Sequence, residues 1–383
     1  MKTVHRTWAV ALVCMLAGAG FAIAQATPPA TMPAGAGAVP PAGAPAAGGG
    51  RGARGGRGGR GAAAPLTDAD KAEIAKLAEY PAWKPGVGVG NYSIGPEYAP
   101  APEITPKEGV PKGKVQTFTL QAADSKFFPS PGARGATPTR QVTVYIPSQY
   151  VAGTAAPLIV SCDAYGAKNN VLPNILDNMI ADKRMPAVIA VMIANGGGDG
   201  PGSERGLEYD NMSGTYAEFV EAEILPKVEK DYNVKITKDP EGRMSLGGSS
   251  GGCAAFAMAW FHPDLYRKAL IYSGTFVNQH QNADFPRGAW EFPDHVVADS
   301  PKKPLRLWLH VSQNDNGSTQ PSSGLHNWVI ANVKMAEALK AKGYDYQMIY
   351  AKNAGHTDAK VINQTYPQAL EFVWKDYPKG AAK

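Results

Sequence analysis

The chain alternates short apolar runs with longer stretches of mixed polarity. Residues 157–161 and 187–194 are apolar and rich in β-branched side chains, which is typical of strands covered on both faces of a sheet. Residues 114–122 and 140–146 alternate apolar and polar positions, as antiparallel edge strands do. Helical stretches near 215–232, 327–342 and 360–377 alternate with the later strands. This order predicts an α/β fold with a doubly wound, mostly parallel sheet flanked by helices.

The segment before these strands has a different character. Residues 67–70, Thr-Asp-Ala-Asp, have the form of a helix N-terminus, and a Pro- and Gly-rich stretch over 92–114 is expected to wrap onward to the core. We therefore predict an N-terminal helix and wrapping segment over 65–109 and the α/β domain over 110–378.

A serine motif joins a predicted strand to a predicted helix. Residues 243–246 resemble a short buried strand, and the small and apolar residues 253–260 resemble a tightly packed helix. Between them, the glycine-rich turn 247–252 matches the pattern G-x-S-x-G. The glycines let strand and helix approach closely, and the serine lies beside amide donors at a helix N-terminus that can hold an oxyanion. The motif predicts a nucleophilic serine.

Two registers of this motif fit the sequence, with Ser249 or Ser250 as the nucleophile. Ser249 lies directly at the end of the strand and leaves the backbone N–H of Ser250 to donate to an oxyanion. We predict Ser249 as the nucleophile and keep Ser250 as the alternative.

An orienting acid and a histidine base are expected later in the chain, in that order. Residues 305–311 predict a buried strand that ends in a polar turn containing Asp315. Residues 346–350 predict the next strand, which leads into a loop containing His356. Because ligands bind at the carboxyl ends of the strands in an open α/β sheet, both side chains are predicted on one rim.

Other candidates fit this arrangement less well. Asp358 is close to His356 in sequence but lies on the helix side of it, so we rank it below Asp315. The remaining histidines outside the leader lie inside a strand, at a helix end or in connections: His310, His262, His280, His295 and His326. We expect no metal and no cofactor, because no His, Cys or carboxylate cluster has ligand spacing and no glycine loop has a phosphate-binding lysine.

The first 24 residues read as a secretory signal. They combine a basic start, an apolar stretch and the small-residue sequence Ala22-Ile23-Ala24 before Gln25. The apolar stretch is too short to predict a membrane-spanning helix. We therefore expect export to the periplasm or the extracellular space.

Residues 25–64 are mostly Ala, Pro and Gly, and their only charges are arginines: Arg51, Arg54, Arg57 and Arg60. Such a segment has too little apolar surface to order itself, so we expect a disordered cationic linker. Its Arg-Gly repeat is brief, lacks aromatic residues and follows an export signal, so no nucleic-acid partner is expected. Together with Lys2 and Arg6, these arginines exceed the formal net charge of +5, so the rest of the chain is close to neutral.

Two cysteines remain after the leader, Cys162 and Cys253, which is too few for a disulfide framework. Both flank the expected floor of the site. A single bridge between them is the alternative to two buried thiols, which we favour.

The chain resembles the enterochelin-esterase-like branch of the esterase D family, which is related to feruloyl esterases and S-formylglutathione hydrolases. The resemblance runs from about residue 110 to 377. It is carried by these segments: RGLEYD at 205–210, GGSSGG at 247–252, WFHPDLY at 260–266, YSGTF at 272–276, SQND at 312–315, HNW at 326–328 and AGH at 354–356. It implies an α/β-hydrolase fold and a carboxylic ester hydrolase that needs no cofactor.

Carried over by position, the resemblance implies that Ser249, Asp315 and His356 are nucleophile, acid and base. The ester would be small or polymer-linked, of the siderophore type or the carbohydrate and feruloyl type. Two alternatives stay open: acyl transfer at the same site, and a non-catalytic ligand-binding protein.

The resemblance also implies a second oxyanion donor after the strand at 157–161. Many relatives have Asp-Gly there, whereas this chain has Cys-Asp-Ala-Tyr-Gly, so the amides of Ala164 and Tyr165 are both candidates. Arg205 and Glu208 are expected to form a structural ion pair under the rim.

A long connection over 274–304 contains the aromatic residues Trp290 and Phe292 and the imidazole of His295. Two interpretations stay open for it: a packed surface loop, or a wall of the substrate pocket made by these three side chains.

Overall fold

The structure is a computed structural model that describes residues 64–129 and 132–378. The strands in chain order are β1 (Gly90–Ile94), β2 (Lys114–Gln121), β3 (Thr139–Ile146), β4 (Ala155–Ala156), β5 (Leu158–Cys162), β6 (Ile189–Ile193), β7 (Lys235–Ile236), β8 (Arg243–Gly248), β9 (Lys268–Tyr272), β10 (Arg306–Asn314) and β11 (Asp345–Gly355). Within the described residues, nine of them form one sheet in the order β1-β11-β10-β9-β8-β5-β6-β3-β2, and β4 pairs with β7 separately.

The helices are α1 (Asp68–Leu77), α2 (Val171–Ala181), α3 (Glu204–Tyr209), α4 (Thr215–Phe219), α5 (Leu225–Tyr232), α6 (Ser250–Phe261), α7 (Val297–Asp299), α8 (Trp328–Ala341) and α9 (Ala359–Val373). A π-helical turn over Val220–Ile224 joins α4 to α5, so the helix predicted near 215–232 is one continuous run. Two apolar cores lie on the two sides of the sheet, one against α6 and α8 and the other against α2 and α9.

The centre of the sheet is parallel and fully covered. Every residue of β5 and β6 is buried, as their apolar and β-branched composition predicts. Strands β2 and β3 pair antiparallel, and β2 is the exposed edge. Strand β3 is not an edge strand, because its other side pairs with β6. The predicted doubly wound, mostly parallel α/β sheet is confirmed.

The segment before β2 combines predicted and unpredicted elements. The helix predicted from residues 67–70 is α1, and Thr67 and Asp70 cap it reciprocally. The wrapping stretch also contains β1, a strand that pairs in parallel with β11. The sequence Gly-Asn-Tyr-Ser-Ile has little apolar alternation, so its pairing depends on the edge that β11 offers. The Tyr98 hydroxyl then donates to the Lys352 carbonyl at 2.5 Å.

Three further predictions concern the cysteines, a membrane-spanning helix and the N-terminal segment. Cys162 and Cys253 are both free and buried, which confirms two buried thiols. No helix within residues 64–129 and 132–378 is long and apolar enough to cross a membrane. The predicted signal at 1–24 and linker at 25–64 lie outside the described residues, except for Ala64.

Candidate active site

Ser249 occupies a sharp turn between β8 and α6. Its backbone angles are φ 59° and ψ −129°, a combination that residues with a side chain rarely adopt. The strand and helix approach so closely here that a Cβ at Gly247 would overlap the Gly251 carbonyl oxygen. The turn therefore needs glycine at 247, and it lifts the Ser249 hydroxyl to the carboxyl end of the sheet.

His356 lies between Ser249 and Asp315. Its Nε2 is 2.8 Å from Ser249 Oγ, and its Nδ1 is 2.5 Å from Asp315 Oδ1. The carboxylate requires a proton on Nδ1, which leaves Nε2 to accept the serine hydroxyl. Because Asp315 follows β10 and His356 follows the neighbouring β11, the sheet brings together the three residues predicted from the sequence.

Asp315 is a buried carboxylate with four hydrogen bonds. Besides His356, its donors are the Ser273 hydroxyl at 2.7 Å, the Asn316 N–H at 2.9 Å and the Ser312 N–H at 3.1 Å. Burial opposes ionisation, but the hydrogen bond and charge of His356, with the Ser273 and Ser312 donors, outweigh it. The pKa of Asp315 therefore lies below its ordinary value, and the carboxylate is ionised at neutral pH.

Asp358 performs a different task. Its carboxylate accepts from the backbone N–H of Lys360 at 2.9 Å and from that of Gly355 at 3.3 Å. It thus caps the start of α9 and fixes the loop before it.

The candidate oxyanion donors differ in availability. Helix α6 begins at Ser250, so the N–H of Ser250 has no preceding helical carbonyl to bond. The N–H of Ala164 donates to the Ile193 carbonyl at 2.7 Å, which removes it as an oxyanion donor. The N–H of Tyr165 makes a longer turn bond of 3.1 Å to Cys162, so Tyr165 is the remaining candidate in this loop.

A cavity of about 560 Å³ opens above Ser249 and His356. Polar side chains and one indole contribute much of its wall: Asp163, Asn195, Asp199, Arg205, Gln279 and Trp328. Sequence reasoning missed most of them. The glycine-rich stretch 196–202 and the segment 326–328 are the signals that could have marked them.

Arg205 contributes to this wall through an ion pair with Asp163, which lies in the same loop as Tyr165. Its Nη2 is 2.6 Å from Asp163 Oδ2, and its Nη1 is 2.9 Å from Asp199. The pair predicted between Arg205 and Glu208 does not form. Glu208 instead accepts from the buried Arg140 Nε at 2.6 Å, because α3 turns Glu208 toward β3 and Arg205 toward the loop after β5.

Of the two interpretations of the connection 274–304, the structure agrees with the packed loop, and the pocket wall of Trp290, Phe292 and His295 is not present at the cavity. Trp290 and Phe292 are buried in the core, where Phe292 packs edge-on against Phe256 with ring centroids 5.0 Å apart. His295 is about half exposed, and its Nε2 is 2.6 Å from Glu291. None of the three lines the cavity, because this connection folds onto α6 and α8 with its apolar side chains inward. Only Gln279 and Thr275 of the connection reach the cavity wall.

No group of three or more His, Cys, Asp or Glu side chains in the described part of the chain is arranged to hold a metal ion. The chemistry that the site offers is that of a hydroxyl, an imidazole, a carboxylate and backbone amides.

Solved esterase structures share this fold. The ferulic acid esterase of the anaerobic fungus Anaeromyces mucronatus is 15% identical, with a TM-score of 0.53 over 73% of this chain and 98% of its own. Enterochelin esterase of Shigella flexneri is 17% identical, with a TM-score of 0.52 over 71% of this chain. The ferric enterobactin esterase of Salmonella typhimurium is 17% identical, with a TM-score of 0.50 over 73%. This chain spans only 60% and 61% of the length of the last two.

No protein among the curated sequences is significantly similar to this chain. The family model Esterase, described as "Putative esterase", matches residues 137–364, which is more than half of the chain. This match confirms the resemblance inferred from the sequence motifs. The chain therefore belongs to the esterase family and is a carboxylic ester hydrolase of α/β-hydrolase fold.

Proposed function

We propose that the chain is a serine esterase with Ser249 as nucleophile, His356 as base and Asp315 as orienting acid. The observation that carries this proposal is the continuous hydrogen-bond chain through the imidazole, 2.8 Å on the serine side and 2.5 Å on the carboxylate side. As Ser249 attacks, Nε2 takes its proton, and the imidazolium that forms faces the ionised Asp315.

The reaction passes through an acyl-enzyme. Ser249 Oγ bonds to the ester carbonyl carbon, and the carbonyl oxygen becomes an oxyanion held by the N–H group of Ser250, joined by that of Tyr165 once it releases its 3.1 Å turn bond to the Cys162 carbonyl. The carbon–oxygen bond to the alcohol then breaks, and His356 returns its proton to the leaving oxygen. Water, deprotonated by the same imidazole, attacks the acyl carbon, and the bond from that carbon to Ser249 Oγ breaks as His356 returns the proton to Oγ.

The cavity favours a neutral, hydroxyl-rich ester over a strongly anionic one. Among the described residues that line it, the one arginine, Arg205, is already paired with Asp163 and Asp199. The amides of Asn195 and Gln279 can hydrogen-bond hydroxyl groups. An ester of a carbohydrate, including a feruloyl ester, therefore fits better than a catecholate siderophore, whose ionised catechols would face a wall with two carboxylates and one guanidinium.

Hydrolysis of an ester panel tests this function. The panel contains p-nitrophenyl acetate, p-nitrophenyl butyrate, methyl ferulate, a feruloylated sugar and a catecholate triester. We expect turnover by the native chain, with the feruloylated sugar preferred to the triester, and none by Ser249→Ala. Equal turnover by Ser249→Ala would contradict the proposal. Adding a free sugar and analysing products by mass spectrometry separates hydrolysis from acyl transfer.

We further propose that the esterase is exported, with residues 1–24 removed and residues 25–64 acting as a linker. Support comes from the sequence pattern of the leader alone. Expression of the full chain with a functional export system should place an enzyme beginning at Gln25 outside the cytoplasm. An uncleaved chain in the cytoplasm would contradict the export proposal and leave the esterase proposal untouched.

A further inference from the structure

Ser273 lies in the middle of the site without lining the cavity. It directly follows β9, the strand between β8 and β10, which lead to Ser249 and Asp315. Its side chain is fully buried, and its φ of +48° is a left-handed conformation that favours glycine. A serine at this position is therefore disfavoured by its own backbone, which points to a use for the hydroxyl.

The Ser273 hydroxyl connects two parts of the proposed triad. It donates to Asp315 Oδ2 at 2.7 Å and accepts from the backbone N–H of Thr357 at 3.1 Å. Thr357 follows His356 directly and also has a positive φ, of +46°. Because a hydroxyl has one proton and two lone pairs, both bonds can exist together.

The two oxygens of Asp315 have different partners. Oδ1 faces His356 and the Asn316 N–H, whereas Oδ2 faces Ser273 and the Ser312 N–H. Without the Ser273 hydroxyl, Oδ2 would keep only the Ser312 bond of 3.1 Å, and the Thr357 N–H would lose its acceptor. The carboxylate plane and the loop that carries the imidazole would both loosen.

We infer that Ser273 is a positioning residue that orients the carboxylate of Asp315 and holds the His356 loop in register with it. This inference rests on the proposed function. Ser273 does not reach the cavity, so it acts through Asp315 and His356 rather than on the substrate.

Two substitutions separate the hydroxyl from the backbone strain. Ser273→Ala and Ser273→Gly both remove the hydroxyl, but only glycine adopts a φ of +48° freely. We expect both variants to lower kcat on p-nitrophenyl acetate by about 10- to 100-fold, with KM changed by less than about threefold. If Ser273→Gly keeps native kcat, the hydroxyl has no role and the inference is wrong.

A matched control is Ser245→Ala, which removes another fully buried hydroxyl that donates to the Ala255 carbonyl at 2.6 Å. Turnover should be retained there even if the melting temperature falls. A comparable loss of kcat in Ser245→Ala would show that buried serines affect turnover through folding alone, and would overturn the inference.

A double-mutant cycle tests the route of the effect. If Ser273 acts through Asp315, then Ser273→Ala should lower kcat by less than about threefold in an Asp315→Asn background. If the kcat of the double variant is reduced by the full product of the two single-variant reductions, the inference is wrong. Fluorophosphonate labelling keeps the two proposals apart. If Ser249 of the native chain is not labelled, the serine-esterase proposal is wrong. If Ser249 is labelled but the Ser273 variants keep native kcat, only the positioning role is wrong.

Discussion

His356 Nε2 lies 2.8 Å from the hydroxyl of Ser249, although 107 positions separate the two residues in the chain. Ser249 follows β8 and His356 follows β11, and β9 and β10 lie between these strands in the sheet. The carboxyl ends of parallel strands share one edge, so residues that follow different strands can meet there.

Ser249→Ala should abolish ester hydrolysis while the protein stays folded. Loss of a triad member typically lowers turnover by about 10⁴- to 10⁶-fold. Steady-state kinetics and circular dichroism measure the two effects. Ser250→Ala should be much milder, because its proposed contribution comes from the backbone N–H. Mapping a fluorophosphonate adduct to Ser250 would mean that the other register is correct.

Ser249→Gly should be more stable than Ser249→Ala, although both are inactive. The φ of 59° with ψ of −129° strains any residue with a Cβ, and glycine releases a strain on the order of 1 kcal/mol. Urea unfolding of the two variants measures the difference in free energy. Equal stabilities would show that the turn is unstrained.

Asp315→Asn should lower kcat by about 10⁴-fold and change KM little, because an amide at 315 supports the wrong tautomer of His356. Asp358→Asn should leave kcat nearly unchanged, since asparagine also caps a helix start well. Steady-state kinetics of the two variants show which carboxylate orients His356. A large loss of kcat in Asp358→Asn together with a small loss in Asp315→Asn would show that Asp358 is the orienting acid.

Asp210 should lower the free energy of unfolding as pH rises from about 4 to about 7. Its side chain is buried, and desolvation raises its pKa to about 7, offset only in part by Ser250 and Arg205. Between its unfolded pKa near 4 and about 7, the folded state holds a proton that the unfolded state has lost. The stabilisation is therefore complete below about pH 4 and is lost as pH rises through about 7.

Urea unfolding between pH 4 and 8 measures this effect against Asp210→Asn, which cannot ionise. The free energy of unfolding of the native chain should fall relative to the variant by roughly 4 kcal/mol over that range. Glu208, whose burial also raises its pKa to about 7, is common to both proteins and cancels in the difference. Parallel pH profiles would contradict the prediction.

Arg140→Met should destabilise the fold strongly. The guanidinium is buried between Glu204 at 2.9 Å and Glu208 at 2.6 Å, so its removal leaves two buried carboxyl groups without their cationic partner. Breaking such a pair typically costs about 3–5 kcal/mol. Lys71→Met, which breaks an exposed pair with Asp68, is the control and should leave the melting temperature unchanged. Similar melting temperatures for both variants would refute the structural role of Arg140.

The sequence by itself determined the elements that depend on local pattern. Strands β5 and β6 follow from apolar β-branched runs, and the strand–turn–helix around Ser249 follows from glycines that only a tight turn requires. The order of Asp315 and His356, each after a strand, placed both on one rim because parallel strands end together. The leader and linker stay predictions from composition.

Only the tertiary structure decided the features that depend on distant partners. Strand β1 exists because β11 offers it an edge, and Arg205 pairs with Asp163 because α3 lies beside the loop after β5. Trp290 and Phe292 are buried in the core, because removing their apolar surface from water is favourable. Which apolar side chains become buried depends on how the whole chain packs, so the local sequence did not reveal it. The Ala164 amide, likewise, is lost as a candidate oxyanion donor to a carbonyl on a neighbouring strand, which no local pattern reveals.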